Sequence, residues 1–181
     1  GEPLYPDPST GPYLFYAYPP LFSLLQSLII RWTDGLWWPG RTLAFASYLG
    51  CATLLAAWGA RRWGQVPAFQ VAGLFLFSPV WMTWGTMVRC DALGLFLNLG
   101  AFLLLLSSEE RKEGLQSRNL AGAAILAFAA AMTKQNHLMI VPVYLLHALR
   151  TGRLKRGLLF AGMVLLPVFL ATTFLALGTG G

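Results

Sequence analysis

Residues 41–62 read RTLAFASYLGCATLLAAWGARR, a single Arg41, nineteen uncharged residues from Thr42 to Ala60, and then Arg61 and Arg62. A helix through those nineteen residues covers roughly 28 Å at 1.5 Å per residue, close to the hydrocarbon thickness of a bilayer. The same grammar recurs outward in both directions. Arg62 is followed by twenty-six uncharged residues, Trp63 to Val88, and Arg156 by an uncharged run from Gly157 to Gly181. Three shorter stretches, 92–108, 119–133 and 135–150, hold 15 to 17 residues and can span with local thinning or snorkelling. Charged residues make up only 11% of the chain and hydrophobic ones 56%, against about 25% charged in soluble domains. The chain is therefore expected to be an all-α polytopic membrane protein.

Orientation follows from the cations, because cytoplasmic loops are enriched in Lys and Arg. Three basic groups stand out: Arg61 with Arg62; Arg111, Lys112 and Arg118; and Arg150, Arg153, Lys155 and Arg156. Placing all three inside requires an even number of crossings between each pair. This predicts six crossings, at 41–60, 67–86, 91–107, 119–133, 136–149 and 157–178, with both termini outside. Arg31, Arg41, Arg89 and Lys134 then fall outside with Asp7, Asp34 and Asp91. The segment from Pro20 to Ile30 is too short to span and reads as an interfacial or re-entrant helix, flanked by Trp32, Trp37 and Trp38 at the headgroup boundary. Two regions result: an extracytoplasmic loop over 1–40 with an interfacial helix at about 20–30, and a transmembrane bundle over 41–181. Starting at Gly1 and ending in Gly-Thr-Gly-Gly, the chain reads as an excerpt of a larger membrane domain.

The net charge of +6 and pI near 9.8 come from inside loops that face anionic lipid, so nucleic acid is an unnecessary partner. Cys51 falls within a span and Cys90 at an outer turn, too far apart along the membrane normal to bond. No metal-ligand spacing, phosphate-cradling glycine loop or nucleophile elbow is present.

Function is expected on the outer face, where polar groups are sparse. Arg89-Cys90-Asp91 opens a span, with Asp91 either capping that helix or lining a site for an ionic substrate. Thr133-Lys134-Gln135-Asn136-His137 is either a solvated turn or an anion site, with Lys134 and His137 one helical turn apart. The Tyr- and Pro-rich stretch 1–20, with Tyr13, Tyr16 and Tyr18, is either an aromatic anchor or a sugar-stacking lid. Asn98 and Gln70 inside spans read as helix–helix glue, and His147 as packed near an inner end.

The order of these features resembles the membrane glycosyltransferases of the GT-C fold, the group containing the protein O-mannosyltransferases and the aminoarabinose transferases. The resemblance rests on Gly1-Glu-Pro-Leu-Tyr5, Tyr16-Ala-Tyr-Pro-Pro20 with its short helix, Arg41 opening a span, Arg89-x-Asp91 opening another, and Thr133-Lys134-Gln135 between two short ones. It implies a transferase that moves a sugar from a polyprenyl-phosphate donor to a lipid, glycan or protein acceptor, facing outside in the plasma membrane. It also implies a carboxylate base ahead of Gly1, with Asp7 as a fallback, and carries Asp91 and Lys134 into the cavity. Where some members have a basic residue, this chain has Tyr18, which leaves dependence on a divalent metal open. Chemically, Lys134, Arg89 and His137 would bind the donor phosphate at headgroup level and stabilise charge on it as it departs. A carboxylate, Asp91 among the candidates, would take the acceptor's proton, with inversion if no covalent intermediate forms. Tyr16, Tyr18 and Asp7 belong to the substrate loop. The competing reading is a transporter or flippase component, which predicts an internal repeat and charges near the membrane midplane.

Overall fold

The computed structural model describes residues 19–32, 38–109 and 113–178, except for the side chains of Trp81, 84–86 and 113–116. Every regular element among them is helical. They are α1 (Leu21–Ile30), α2 (Trp38–Trp63), α3 (Gln65–Leu76), α4 (Pro79–Thr86), α5 (Asp91–Glu109), α6 (Glu113–Ala131), a 3₁₀ segment (Gln135–Met139), α7 (Ile140–Arg150) and α8 (Leu154–Gly178).

Helix boundaries have local causes. Asp91 supplies an acid to the first turn of α5, and Arg61 and Arg62 supply cations to the last turn of α2, each matching the sign of the helix dipole. Gly64, at φ 85°, then breaks the chain between α2 and α3. After α7 the chain turns through Gly152 at φ 69°, and the Arg153 amide closes on the Ala148 carbonyl at 2.7 Å, a glycine-based helix stop.

Among the described residues three helices, α2, α5 and α8, are long and apolar enough to cross a membrane. The other expected crossings correspond to α3 with α4, to α6, whose apolar part Ser117–Ala131 is shorter, and to the 3₁₀ segment with α7. Residues 67–86, read from sequence as one span, form two helices, because Ser78 before Pro79 is held extended (φ −65°, ψ 121°) and Pro79 starts α4. Proline disfavours helical backbone at the residue before it. The Tyr48 hydroxyl donates to the carbonyls of Leu76 and Phe75 at this break, so backbone oxygens freed in an apolar setting find a partner. The interfacial helix expected at 20–30 is α1.

The core is built on small residues. α5 and α6 share the most extensive interface with α2 and α8 flanking them, and Ala101, Ala123, Ala127 and Ala130 are fully buried within the bundle. Alanine at such positions lets helices approach closely, which is how helices associate where lipid removes the hydrophobic drive. Leu105, Phe160, Val164 and Tyr144 fill the remaining volume. Outward, α8 exposes Leu158, Leu166, Phe169, Leu170, Phe174 and Leu177, a surface suited to acyl chains and not to water.

The two ends of the bundle differ. At one end α1, the start of α2, the start of α5 and the end of α6 meet: the Leu21 amide donates to the Met132 carbonyl at 2.9 Å, and Gly40 lies against Val88 and Gln26. At the other, the Glu109 carboxylate meets His147 Nε2 at 2.9 Å, next to the turn into α8. His147, expected to be packed, makes this polar contact and is 42% exposed in its side chain. Arg61, Arg62, Arg118, Arg150 and Arg153 therefore collect at the end away from Asp91.

Candidate functional site

The site forms where three chain segments converge on the first two turns of α5. Asp91 opens the helix with Arg89 two residues ahead. Arg89 Nε donates to Asp91 Oδ2 at 2.9 Å, and Lys134 Nζ, arriving from forty-three residues later, donates to Asp91 Oδ1 at 2.5 Å. Asp91 is only 8% exposed. A desolvated carboxylate is costly unless charged and hydrogen-bonded partners compensate it, and here both oxygens are held by cations. One carboxylate between two cations leaves the trio with one net positive charge.

Local backbone explains how Lys134 arrives. α6 ends at Ala131, and the amides of Thr133 and Lys134 both bond to the Ala130 carbonyl at 3.0 and 3.1 Å. Lys134 is then extended (φ −160°, ψ 129°) before the 3₁₀ segment starts. Thr133 is fully buried and its hydroxyl donates to Ala130 at 2.6 Å. The 3₁₀ segment aims His137 back at α5, where its Nδ1 lies 3.4 Å from the Asn98 amide nitrogen. Lys134 and His137 thus do not share a helical face; they meet one face of α5, at Asp91 and Asn98. Between these positions Gly94 leaves the space both segments need, since a Cβ there would collide with the His137 ring and lie 2.5 Å from the Thr133 hydroxyl. Asn98 Oδ1 is buried with no hydrogen-bond partner among the described residues.

A cleft of about 240 Å³ opens beside the trio, between α1 and the Val88–Asp91 turn, with Ser23, Gln26, Arg89 and Asp91 among its lining. Cys90 also borders it. Burial pushes its thiol pKa up, and Asp91 adds to this while Lys134 and Arg89 oppose it, so Cys90 is a neutral thiol, not an activated nucleophile. Both cysteines are free and buried.

Of the residues singled out in the sequence, the structure brings Asp91, Arg89, Lys134 and His137 to one end of α5. Asp7, Tyr16 and Tyr18 lie outside the described residues. Sequence reasoning passed over Gly94 and gave Asn98 only a packing role. The available signal was the spacing Asp91, Gly94, Asn98, which is one helical face. No group of three or more His, Cys, Asp or Glu that could hold a metal occurs among the described residues, and Asp91 has both oxygens engaged by cations, so this cluster does not fit a divalent ion.

Long apolar helices carrying a partly buried ion cluster at one end define an integral membrane protein with a polar site at the boundary of its bundle. A family model described as dolichyl-phosphate-mannose-protein mannosyltransferase matches residues 17–176, most of the chain. The chain belongs to this family, a group of GT-C-type glycosyltransferases. Comparison with curated proteins and with solved structures gave no match.

Proposed function

We propose that this chain is part of a membrane glycosyltransferase that moves a sugar from a polyprenyl-phosphate donor to an acceptor on the extracytoplasmic side of the plasma membrane, and that Lys134 and Arg89 bind the donor phosphate. The observation that carries the reading is the doubly held Asp91 at the end of the bundle opposite two basic groups, Arg61 with Arg62 and Arg150 with Arg153. The larger number of basic residues at the opposite end supports an outward-facing site, by the positive-inside rule. The family's description, which names dolichyl-phosphate mannose and protein, supports a lipid-phosphate donor.

Leaving-group departure sets the demand on the site. As the bond between the anomeric carbon and the phosphate oxygen breaks, charge grows on the phosphate, and cations preorganised in a dry setting stabilise it most. Asp91 fixes Lys134 and Arg89 in place before substrate arrives, so little reorganisation is needed. With both oxygens occupied, Asp91 is a poor proton acceptor, and the base that takes the acceptor's proton is a different carboxylate, Asp7 or one preceding Gly1. Direct attack by the acceptor then inverts the anomeric centre. A groove of about 280 Å³ beside Asn98, walled by Leu95, Phe102, Ile140 and Val143, suits the prenyl chain.

The test is transfer of labelled sugar from polyprenyl phosphate to acceptor by the full-length protein in liposomes. Lys134→Ala is expected to lower the rate by about 100-fold, the usual loss when one electrostatic stabiliser is removed. Wild-type protein that transfers nothing from any donor, or Lys134→Ala as active as wild type, rules the assignment out and directs attention to transport.

A further inference from the structure

The cleft beside Asp91 has two unlike walls. One carries Arg89 and Asp91. The other is α1, whose Ser23 and Gln26 are three residues apart and border the same space. We propose that this cleft holds the sugar ring of the donor and that Ser23 and Gln26 determine which sugar is transferred; the proposal rests on the transferase reading above.

Several observations converge on it. First, α1 is fixed in place and does more than lie on the membrane surface. Its first amide bonds to Met132, and Phe22 is buried in a cluster with Cys90 and Leu93, so Ser23 and Gln26 are held over the start of α5. Second, α2 leaves room for this arrangement. A Cβ on Gly40 would lie 3.2 Å from the Gln26 amide and 2.5 Å from Val88. Third, the chemistry matches. Each sugar hydroxyl is both donor and acceptor, and a neutral hydroxyl beside a carboxamide offers both roles without charge. Fourth, the position matches. In the donor the anomeric carbon is bonded directly to the phosphate oxygen, so the ring must adjoin the phosphate cations, and this cleft adjoins Arg89. Its volume falls below the roughly 300 Å³ at the small end of drug-sized pockets, which suits one ring and not an oligosaccharide.

The test uses the full-length protein in liposomes with one acceptor and a panel of polyprenyl-phosphate hexoses that differ at a single hydroxyl, including the deoxy forms. Wild type is expected to prefer one hexose. Gln26→Ala and Ser23→Ala are each expected to shrink that preference in kcat/KM by about tenfold, the upper end of the net worth of one neutral hydrogen bond. The donor lacking the hydroxyl that Gln26 contacts is expected to be transferred equally well by wild type and Gln26→Ala, an outcome that general damage to the fold does not produce. Wild-type transfer with preferences unchanged in both variants overturns the inference and leaves the transferase reading intact. Preferences that shift only among acceptors overturn it too, by placing the acceptor in the cleft. Wild-type protein that transfers none of the hexoses removes both.

Discussion

Lys134 meets Asp91 across forty-three residues of chain, at 2.5 Å, with side chains 19% and 10% exposed. Breaking a buried pair by removing one partner costs about 3–5 kcal/mol where nothing else compensates the charge, which sets an upper bound here because Arg89 also holds Asp91. Asp91→Ala is therefore expected to lower stability measurably in detergent as well as to impair transfer, because Lys134 and Arg89 lose the carboxylate that positions them. Gly94→Ala tests the same site sterically. The added methyl meets the Thr133 hydroxyl and the His137 ring, and Thr133 is fully buried, so the end of α6 must shift. A destabilisation of about 1–3 kcal/mol follows from overpacking of this kind, with loss of transfer; wild-type stability and rate in Gly94→Ala would show that the segment is not held against α5 there. At this scale the sequence was informative about charge. Arg89, Asp91 and Lys134 stand out because ionisable residues are scarce in an apolar chain. Gly94 and Asn98 do not stand out, since a glycine or an amide within a span has many packing explanations, and only the arrival of the 3₁₀ segment gives them a role.

Elements were legible where length decided them. Arg41 to Arg62 and Gly157 onward carry long uncharged runs, and α2 and α8 follow them. The region 67–86 was legible as apolar but not as one helix, because apolar content does not reveal how the freed carbonyls around a proline are satisfied. Tyr48 supplies that answer from α2, at a distance of twenty-seven residues from Phe75. Tyr48→Phe removes the hydroxyl and keeps the ring that packs 5.2 Å from Phe75. It is expected to cost about 1 kcal/mol, the net worth of such a hydrogen bond, in thermal unfolding, with transfer retained because neither Tyr48 nor the break lines the cleft beside Asp91. A loss well above that, or abolished transfer, would mean that the α3–α4 break is coupled to the site. α1 was recognisable as a short apolar helix, but its role as a wall of the cleft depends on the Leu21–Met132 bond, which no local pattern announces.

Across the described residues, the larger basic groups gather at one end of the bundle. The cluster of Asp91, Arg89 and Lys134 occupies one end, and Arg61, Arg62, Arg150 and Arg153 the other, with Glu109 and His147 among them. Sequence patterning captured this polarity because an excess of basic loops is a property of the chain as a whole. The convergence of α1, α5 and the end of α6 is tertiary and had no sequence signature beyond residue type. In oriented vesicles of protein with Cys51 and Cys90 replaced by alanine, Gln135→Cys is expected to react with an impermeant thiol reagent added outside, and Arg153→Cys only after the vesicles are opened. The reverse pattern would invert the proposed orientation.

In the proposed mechanism the cation at position 134 serves the donor phosphate and is not only a partner for Asp91. Exchanging the charges, Asp91→Lys with Lys134→Asp, separates these roles, because the pair can re-form while the cation moves from the 3₁₀ approach to the start of α5. The measurement is thermal stability and sugar transfer by the double variant beside the two single variants. Stability is expected to recover toward wild type while transfer stays about 100-fold down; transfer that recovers together with stability would overturn the phosphate role and leave the pair a structural tie.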